Sequence, residues 1–286
     1  MLTFTQLGLH GRLGNQLYQY AALKSAALKY GYECKIPDPK RMTWHGQTCL
    51  LENFNIETEY LTEQDYKKIN KVLNVPEPLP GVYTPCFENI QDNTDIRGFF
   101  QNTKYFENYS SQIIKEFTPR KHFIDRGLKI LNKIKRRNLV SLHVRRGDQT
   151  DGTNPEYEYY HGNNPFDIKF PLGKHIAESL SIFPDCDVLV FTGGSRTGDD
   201  SKDIAWAKKF FSDSKFIVSQ TNDTLQDFIL MSLCDHNIIT GPSSFGWWAS
   251  YLNPNPNKIV VAPIDYHLDG KSNLREGFYP KSWKLL

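Results

Sequence analysis

The sequence predicts an α/β protein with a doubly wound parallel sheet, and three observations carry that reading. Residues 138–144, 187–191, 215–218, 236–240 and 258–262 are short, nearly continuous apolar runs rich in β-branched side chains, the pattern of parallel strands buried on both faces. Helical spacing fills stretches between them, at 203–211, 224–234 and 244–252. The chain also opens strand, glycine loop, helix, the first step of the same alternation.

In chain order, 2–7 is apolar enough for a short strand, and Gly8, Gly11 and Gly14 punctuate the segment after it. From Leu17 the positions Leu17, Tyr20, Leu23, Ala27 and Tyr30 step by three or four, which is one face of a helix, and Gly31 stands where a C-terminal cap belongs. A second helix is expected over 61–72, with Thr62 and Asp65 as its capping box. Pro76, Pro78, Pro80 and Pro85 mark irregular loop. The run 115–137 holds nine Lys or Arg and Pro119; it is the expected linker region between halves, and the ordinary reading of its charges is a solvated helix face. The expected division is an N-terminal domain over 1–125 and a C-terminal domain over 126–286.

The length, 286 residues, suits one large or two medium domains at roughly 150 residues each. With 34 Lys+Arg against 32 Asp+Glu the formal charge is +2, far from the basic balance of a dedicated nucleic-acid binder. No apolar run reaches the roughly 18 residues that span a bilayer, and no basic n-region precedes an apolar stretch at Met1. A cytoplasmic protein without a transmembrane segment is expected, a reading compatible with peripheral membrane contact. Cys34, Cys49, Cys86, Cys186 and Cys234 are odd in number and lack metal-ligand spacing, which argues for free thiols and against zinc.

In open α/β sheets ligands bind beyond the carboxyl ends of the strands. There the sequence sets His143 and Arg145-Arg146-Gly147-Asp148 after one strand, Gly241-Pro242-Ser243-Ser244-Phe245 opening a helix after another, and His10-Gly-Arg-Leu-Gly-Asn15-Gln16 opening a helix after the first. Helix-start N–H groups with a guanidinium fork form an anion site, and a diphosphate matches it. Each signal alone has an ordinary reading: the glycines as a turn, Arg145-Arg146 as a surface pair, Ser243-Ser244 as a helix cap. The glycines have neither dinucleotide-fingerprint spacing nor a P-loop Lys. Asp185-Cys-Asp187 has the D-x-D form of metal-dependent sugar transferases but precedes its strand, which makes it structural.

Together the motifs are far more specific. His10-Gly-Arg-Leu-Gly-Asn-Gln-Leu-Tyr-Gln-Tyr-Ala21, Gly98-Phe-Phe-Gln-Asn-Thr-Lys-Tyr-Phe106, His143-Val-Arg-Arg-Gly-Asp148, Leu230-Met-Ser-Leu-Cys-Asp-His-Asn-Ile-Ile239 and Ser243-Ser-Phe-Gly-Trp-Trp-Ala249 occur in an order that closely resembles the α-1,2-fucosyltransferases of glycosyltransferase family 11. The resemblance implies a GT-B architecture, two Rossmann-like domains facing across a cleft, with the donor held mainly by the C-terminal one. It implies an inverting, metal-independent transfer of L-fucose from GDP-β-L-fucose to the 2-hydroxyl of a terminal galactose, with no cofactor beyond that donor. By motif position, Arg145 would bind the diphosphate with His143 beside it. Ser243, Ser244 and Phe245 would line the pocket, and Arg12, Asn15 and Gln16 would contribute from the other domain. Arg145, Asn15, His143 and Asp148 are the catalytic candidates, and Arg146 and Asp148 are expected to brace the loop, with pairing to each other as one way of doing so.

Two departures stand out. The relatives' short F-S-D-D-x-x-W-x-K stretch becomes a longer glycine-rich loop from Phe191 to Trp206, which leaves Asp199, Asp200 and Asp203 as alternatives for reading guanine; and Pro242 replaces an Asn. For the general base only His10, Asp148 and Asn15 lie near the motifs, and an amide is no ordinary base. Other expectations compete: another linkage or GDP-sugar, a nicotinamide-dependent dehydrogenase, disfavoured by its missing fingerprint, and an RNA-binding module using the basic run.

Overall fold

The structure is a computed structural model that describes residues 1–286 except 45, 78, 135–137 and 153–154. Pro78 of the proline cluster and the last residues of the basic run therefore lie outside the described residues. Met1–Arg120 with Asn273–Lys281 form one compact unit, and Lys121–Ser272 with Ser282–Leu286 form a second. The chain passes between them at 120/121, against 125/126 read from sequence, because one helix beginning at Lys121 belongs wholly to the second unit.

The first unit runs β1 (Leu2–Thr3), α1 (Leu13–Tyr30), β2 (Cys34–Ile36), the hairpin β3 (Thr43–Trp44) and β4 (Gln47–Thr48), β5 (Glu59–Tyr60), α2 (Glu63–Lys68), β6 (Lys71–Asn74), β7 (Thr94–Arg97) and α3 (Ser110–Glu116). Its main sheet has the order β5-β2-β1-β7-β6, with every pairing parallel. The first strand is shorter than expected, since Leu7 and Leu9 N–H donate back to Phe4 and Gln6 carbonyls in successive turns. The first helix starts at Leu13 and ends at Gly31, whose φ of 66° suits a residue without Cβ and whose N–H reaches the Ala27 and Leu28 carbonyls. The Thr62–Asp65 capping box is present, but α2 stops at Lys68. The rest of that stretch is drawn into β6 by parallel pairing with β7, a long-range partner the local periodicity cannot reveal.

The second unit runs α4 (Lys121–Ile134), β8 (Leu139–Arg145), α5 (Pro155–His161), α6 (Pro171–Leu180), β9 (Asp187–Gly193), α7 (Ser201–Phe210), β10 (Phe216–Val218), α8 (Thr224–Ser232), β11 (His236–Ile239), α9 (Ser244–Tyr251), β12 (Val260–Ala262) and β13 (Lys284–Leu285). The basic run does contain the passage between the units at 120/121, and it is largely helical rather than extended: α3 ends in it and α4 occupies most of it. Gly127 of α4 faces α8 so closely that a Cβ would stand 3.1 Å from Ile229 Cγ2 and 3.1 Å from Leu233 Cδ1.

The second sheet has the order β10-β9-β8-β11-β12-β13, all parallel. The chain winds outward from β8 to β10, then restarts on the opposite side with β11, so the switch point falls between β8 and β11. Alternation along β8 sends Val140, Leu142 and Val144 into a core with Leu172, Ile176, Val188, Val190, Ala207 and Phe211. His143 and Arg145 therefore point to the opposite face. Among the described residues no helix is long and apolar enough to cross a membrane.

Candidate active site

Arg145 is the last residue of β8 and pairs in register with Gly193 at the end of β9. Beyond them the two loops interlock: Arg146 N–H donates to the Gly193 carbonyl at 3.2 Å and Asp148 N–H to the Gly194 carbonyl at 3.4 Å. The Arg145 guanidinium lies over Gly194, where a Cβ would overlap it. Its Nη2 donates to Asp148 Oδ1 at 2.7 Å, and its side chain remains 19% exposed. One edge of the fork is thus anchored while part of the group faces solvent, an arrangement suited to receiving an anion.

Arg146, the next residue, points the other way and does not pair with Asp148. Its Nε donates to Asp203 Oδ1 at 3.0 Å and its guanidinium sits 3.9 Å from the centre of the Trp206 ring. Asp203 Oδ2 also accepts the Gly147 N–H at 2.9 Å. The reason is the strand alternation, which splits adjacent arginines between opposite faces. Of the three carboxylates considered for guanine, Asp203 is committed to this pair. Asp200 accepts the N–H groups of Gly194 and Ser195, both at 2.8 Å. Asp199 accepts the Ser201 N–H at 3.0 Å from an exposed position.

His143 is buried, with its ring 5.6 Å from that of Phe245. A Cβ at Gly246 would come within 2.6 Å of its Nδ1. Burial, and then Arg145, push its pKa down to about 3; it is a neutral ring beneath the start of α9. Ser243 is the N-cap of that helix and Ser244 and Phe245 its first residues. The sequence motifs therefore do converge within this unit: Arg145 and Asp148 after β8, Ser243 to Phe245 after β11. Missed by sequence reasoning were Gly194, Gln149, Tyr160, His161 and Tyr266. Only the glycine-rich run itself hinted at the first, and nothing local marks the others.

In the first unit the switch point falls between β1 and β7. Asn15, on the first turn of α1, accepts from Gln101 Nε2 at 2.7 Å, a link across that switch point to the segment after β7. Gln16 is 2% exposed, with its amide donating to the Gly11 carbonyl and accepting the Leu50 N–H; it braces the loop and offers no surface to a ligand. Arg12 is the N-cap residue of α1. His10 is exposed, its ring 5.4 Å from that of Trp44. Among the described residues no group of three or more His, Cys, Asp or Glu could hold a metal ion.

Two α/β units with parallel sheets, the second carrying an arginine and a helix start at its switch point, have the GT-B fold. The sequence model of Glycosyl transferase family 11 matches residues 2–286, and the chain belongs to that family. It is 28% identical to the Escherichia coli O-antigen biosynthesis glycosyltransferase WbnK, over 89% of this chain and 92% of that protein. It is also 28% identical to an Escherichia coli alpha-1,2-colitosyltransferase, over 90% of each. A galactoside alpha-(1,2)-fucosyltransferase 1 from Leontopithecus chrysomelas is 25% identical over 85% of this chain and 63% of its own length. Two solved structures share the fold at low identity. POFUT1 in complex with GDP has a TM-score of 0.54 and 12% identity, covering 91% of this chain and 97% of that one. The fucosyltransferase NodZ from Bradyrhizobium has a TM-score of 0.53 and 13% identity, covering 88% and 93%.

Proposed function

We propose that this glycosyltransferase moves L-fucose from GDP-β-L-fucose to the 2-hydroxyl of a terminal galactose, with inversion and without a metal ion. The observation that carries the reading is the half-anchored guanidinium of Arg145 at the end of β8, beside the turn into α9. Cleaving the fucosyl–phosphate bond leaves positive charge on the sugar and negative charge on GDP, so stabilisation is needed on the diphosphate. Arg145 supplies it, with Ser243, Ser244 and the first amides of α9, while Asp148 holds the guanidinium in place. His143 acts as a packed, neutral support for Phe245 and not as a base. Arg12 and Asn15 are assigned to the acceptor side with His10 and Trp44, all in the first unit.

The domain roles divide accordingly: the second unit takes the donor, the first the acceptor. Free cysteines at all five positions support a reducing, cytoplasmic setting. The relative named as a colitosyltransferase favours a second reading in which the linkage is kept and the donor sugar differs.

The test is an assay of several GDP-sugars against lactose, N-acetyllactosamine and galactosyl-β-1,3-N-acetylhexosamine, with product linkage read by NMR. Transfer of fucose to the galactose 2-hydroxyl is expected. Transfer only from another GDP-sugar selects the second reading, and no transfer to any galactoside overturns the acceptor assignment.

A further inference from the structure

The turn from β11 into α9 is held from outside by side chains that no motif marks. Gly241 N–H donates to the Tyr160 hydroxyl at 3.2 Å, and the Pro242 carbonyl accepts from Gln149 Nε2 at 2.9 Å. Ser243 N–H donates to the Tyr266 hydroxyl. Gln149 is itself oriented by His161, whose Nε2 lies 3.1 Å from its Oε1. All four side chains belong to residues at most 6% exposed. Pro242 has no N–H to satisfy, and Gly241 has no room for a Cβ, which would overlap the Tyr266 carbonyl. Successive backbone groups of the turn, with no strand or helix partner, are therefore fixed by phenols and one amide.

The hydrogen-bond order admits one arrangement. Gln149 must turn its NH2 to the Pro242 carbonyl, so its oxygen faces His161 and the His161 proton sits on Nε2. Burial, then Arg146 and Arg145, push the His161 pKa down to about 3, which keeps that ring neutral. The same turn is tied back to the arginine strand. Thr240 Oγ1 donates to the His143 carbonyl at 3.0 Å and accepts the Arg145 N–H at 3.3 Å.

We propose that Tyr160, Tyr266 and the His161–Gln149 relay are positioning residues for glycosyl transfer, fixing the turn so that Ser243, Ser244 and the first amides of α9 meet the departing diphosphate without rearranging. The proposal rests on the donor reading above and deepens it. Donors held in place before the reaction stabilise developing charge most effectively, because nothing must reorient as the bond breaks. Loosening the turn would spend part of that advantage even with Arg145 untouched.

The test compares Tyr266→Phe, Tyr160→Phe and Gln149→Met with the parent and with Arg145→Ala. It reads turnover of GDP-fucose with lactose, the acceptor KM and the thermal midpoint. Each positioning variant is expected to lose about tenfold or more in kcat, the scale of a misplacement near the reacting atoms, with an unchanged acceptor KM and a folded protein at the assay temperature. A purely structural role lowers the thermal midpoint and leaves the kcat of folded enzyme at the parental value, and that result overturns the proposal. Should Tyr266→Phe fail to fold, Tyr160→Phe and Gln149→Met decide by the same criteria. Impaired Arg145→Ala beside parental positioning variants removes this proposal alone; parental turnover in Arg145→Ala removes the donor reading and this proposal with it.

Discussion

The guanidinium of Arg145 occupies the space that a side chain at Gly194 would need. Arg145 ends β8 and Gly194 directly follows the end of β9, and Gly194, with φ of 106°, is in a backbone region that suits glycine. Gly194→Ala therefore acts on Arg145. It should lower kcat by about tenfold or more and weaken GDP binding, on the scale of misplacing a charged donor, while the protein still folds. Calorimetric titration with GDP and steady-state kinetics check both; an Ala variant with parental values of each refutes the contact's role.

Removing Arg145 itself should do more. Arg145→Ala is expected to lose roughly 10²-fold or more in turnover, the scale of one oxyanion donor. Arg145→Lys should recover part of that loss, since it keeps the charge but not the fork that lets one edge bind Asp148. The measurement is kcat with saturating GDP-fucose and lactose.

Arg146 is expected to matter for stability. Its partner Asp203 is only 10% exposed at the side chain, and truncation leaves that carboxylate without its cation over the Trp206 ring. Arg146→Ala should cost about 3 kcal/mol, in the range for breaking a buried pair. Urea unfolding gives the number; a loss below about 0.5 kcal/mol would place this pair with surface ion pairs.

Acid should destabilise the protein through two buried rings. The pKa values of His143 and His161 are both pushed down to about 3, with burial the largest cause in each. In the unfolded chain a histidine titrates near 6.5, so above that pH both states are neutral and neither ring changes stability. Below it the unfolded chain takes up protons that the native rings refuse, and stability falls as pH drops from about 6.5 towards 3, by roughly 1.4 kcal/mol per pH unit for each ring. Unfolding curves between pH 7 and 5 test the slope, which His161→Gln should reduce.

Chelation should leave turnover unchanged, because Arg145 and the α9 amides are assigned the charge that a metal would otherwise neutralise. Loss of activity in EDTA, restored by a divalent cation, would sink that assignment.

Much of the second unit was legible because its strands are buried on both faces and so read as apolar runs. β8, β9 and β11 lie within two residues of their expected ends, and the residues after β8 and β11 are brought together as the candidate site. The first unit was less legible because its strands have two to four residues and owe their existence to distant partners, as Lys71–Asn74 does to β7. The direction of Arg146 was readable in principle from strand alternation, and the expected pairing with Asp148 ignored it. Gln16 carries a motif position yet serves the loop. Tyr160 and Tyr266 were beyond reach, since each meets the turn across more than twenty residues of chain.

The segment Asn273–Lys281 leaves the second unit for the first before Ser282–Leu286 returns to supply β13. Within the first unit it is sewn in by Arg275 Nε on the Pro80 carbonyl at 2.7 Å and by Thr103 N–H on the Gly277 carbonyl at 3.1 Å. The halves are thus not beads on one string. A chimaera that exchanges the first unit between relatives needs three junctions, at 120/121, 272/273 and 281/282. A single-crossover hybrid would carry a foreign strap in its first unit, and breeding hybrids by simple halving should give misfolded progeny.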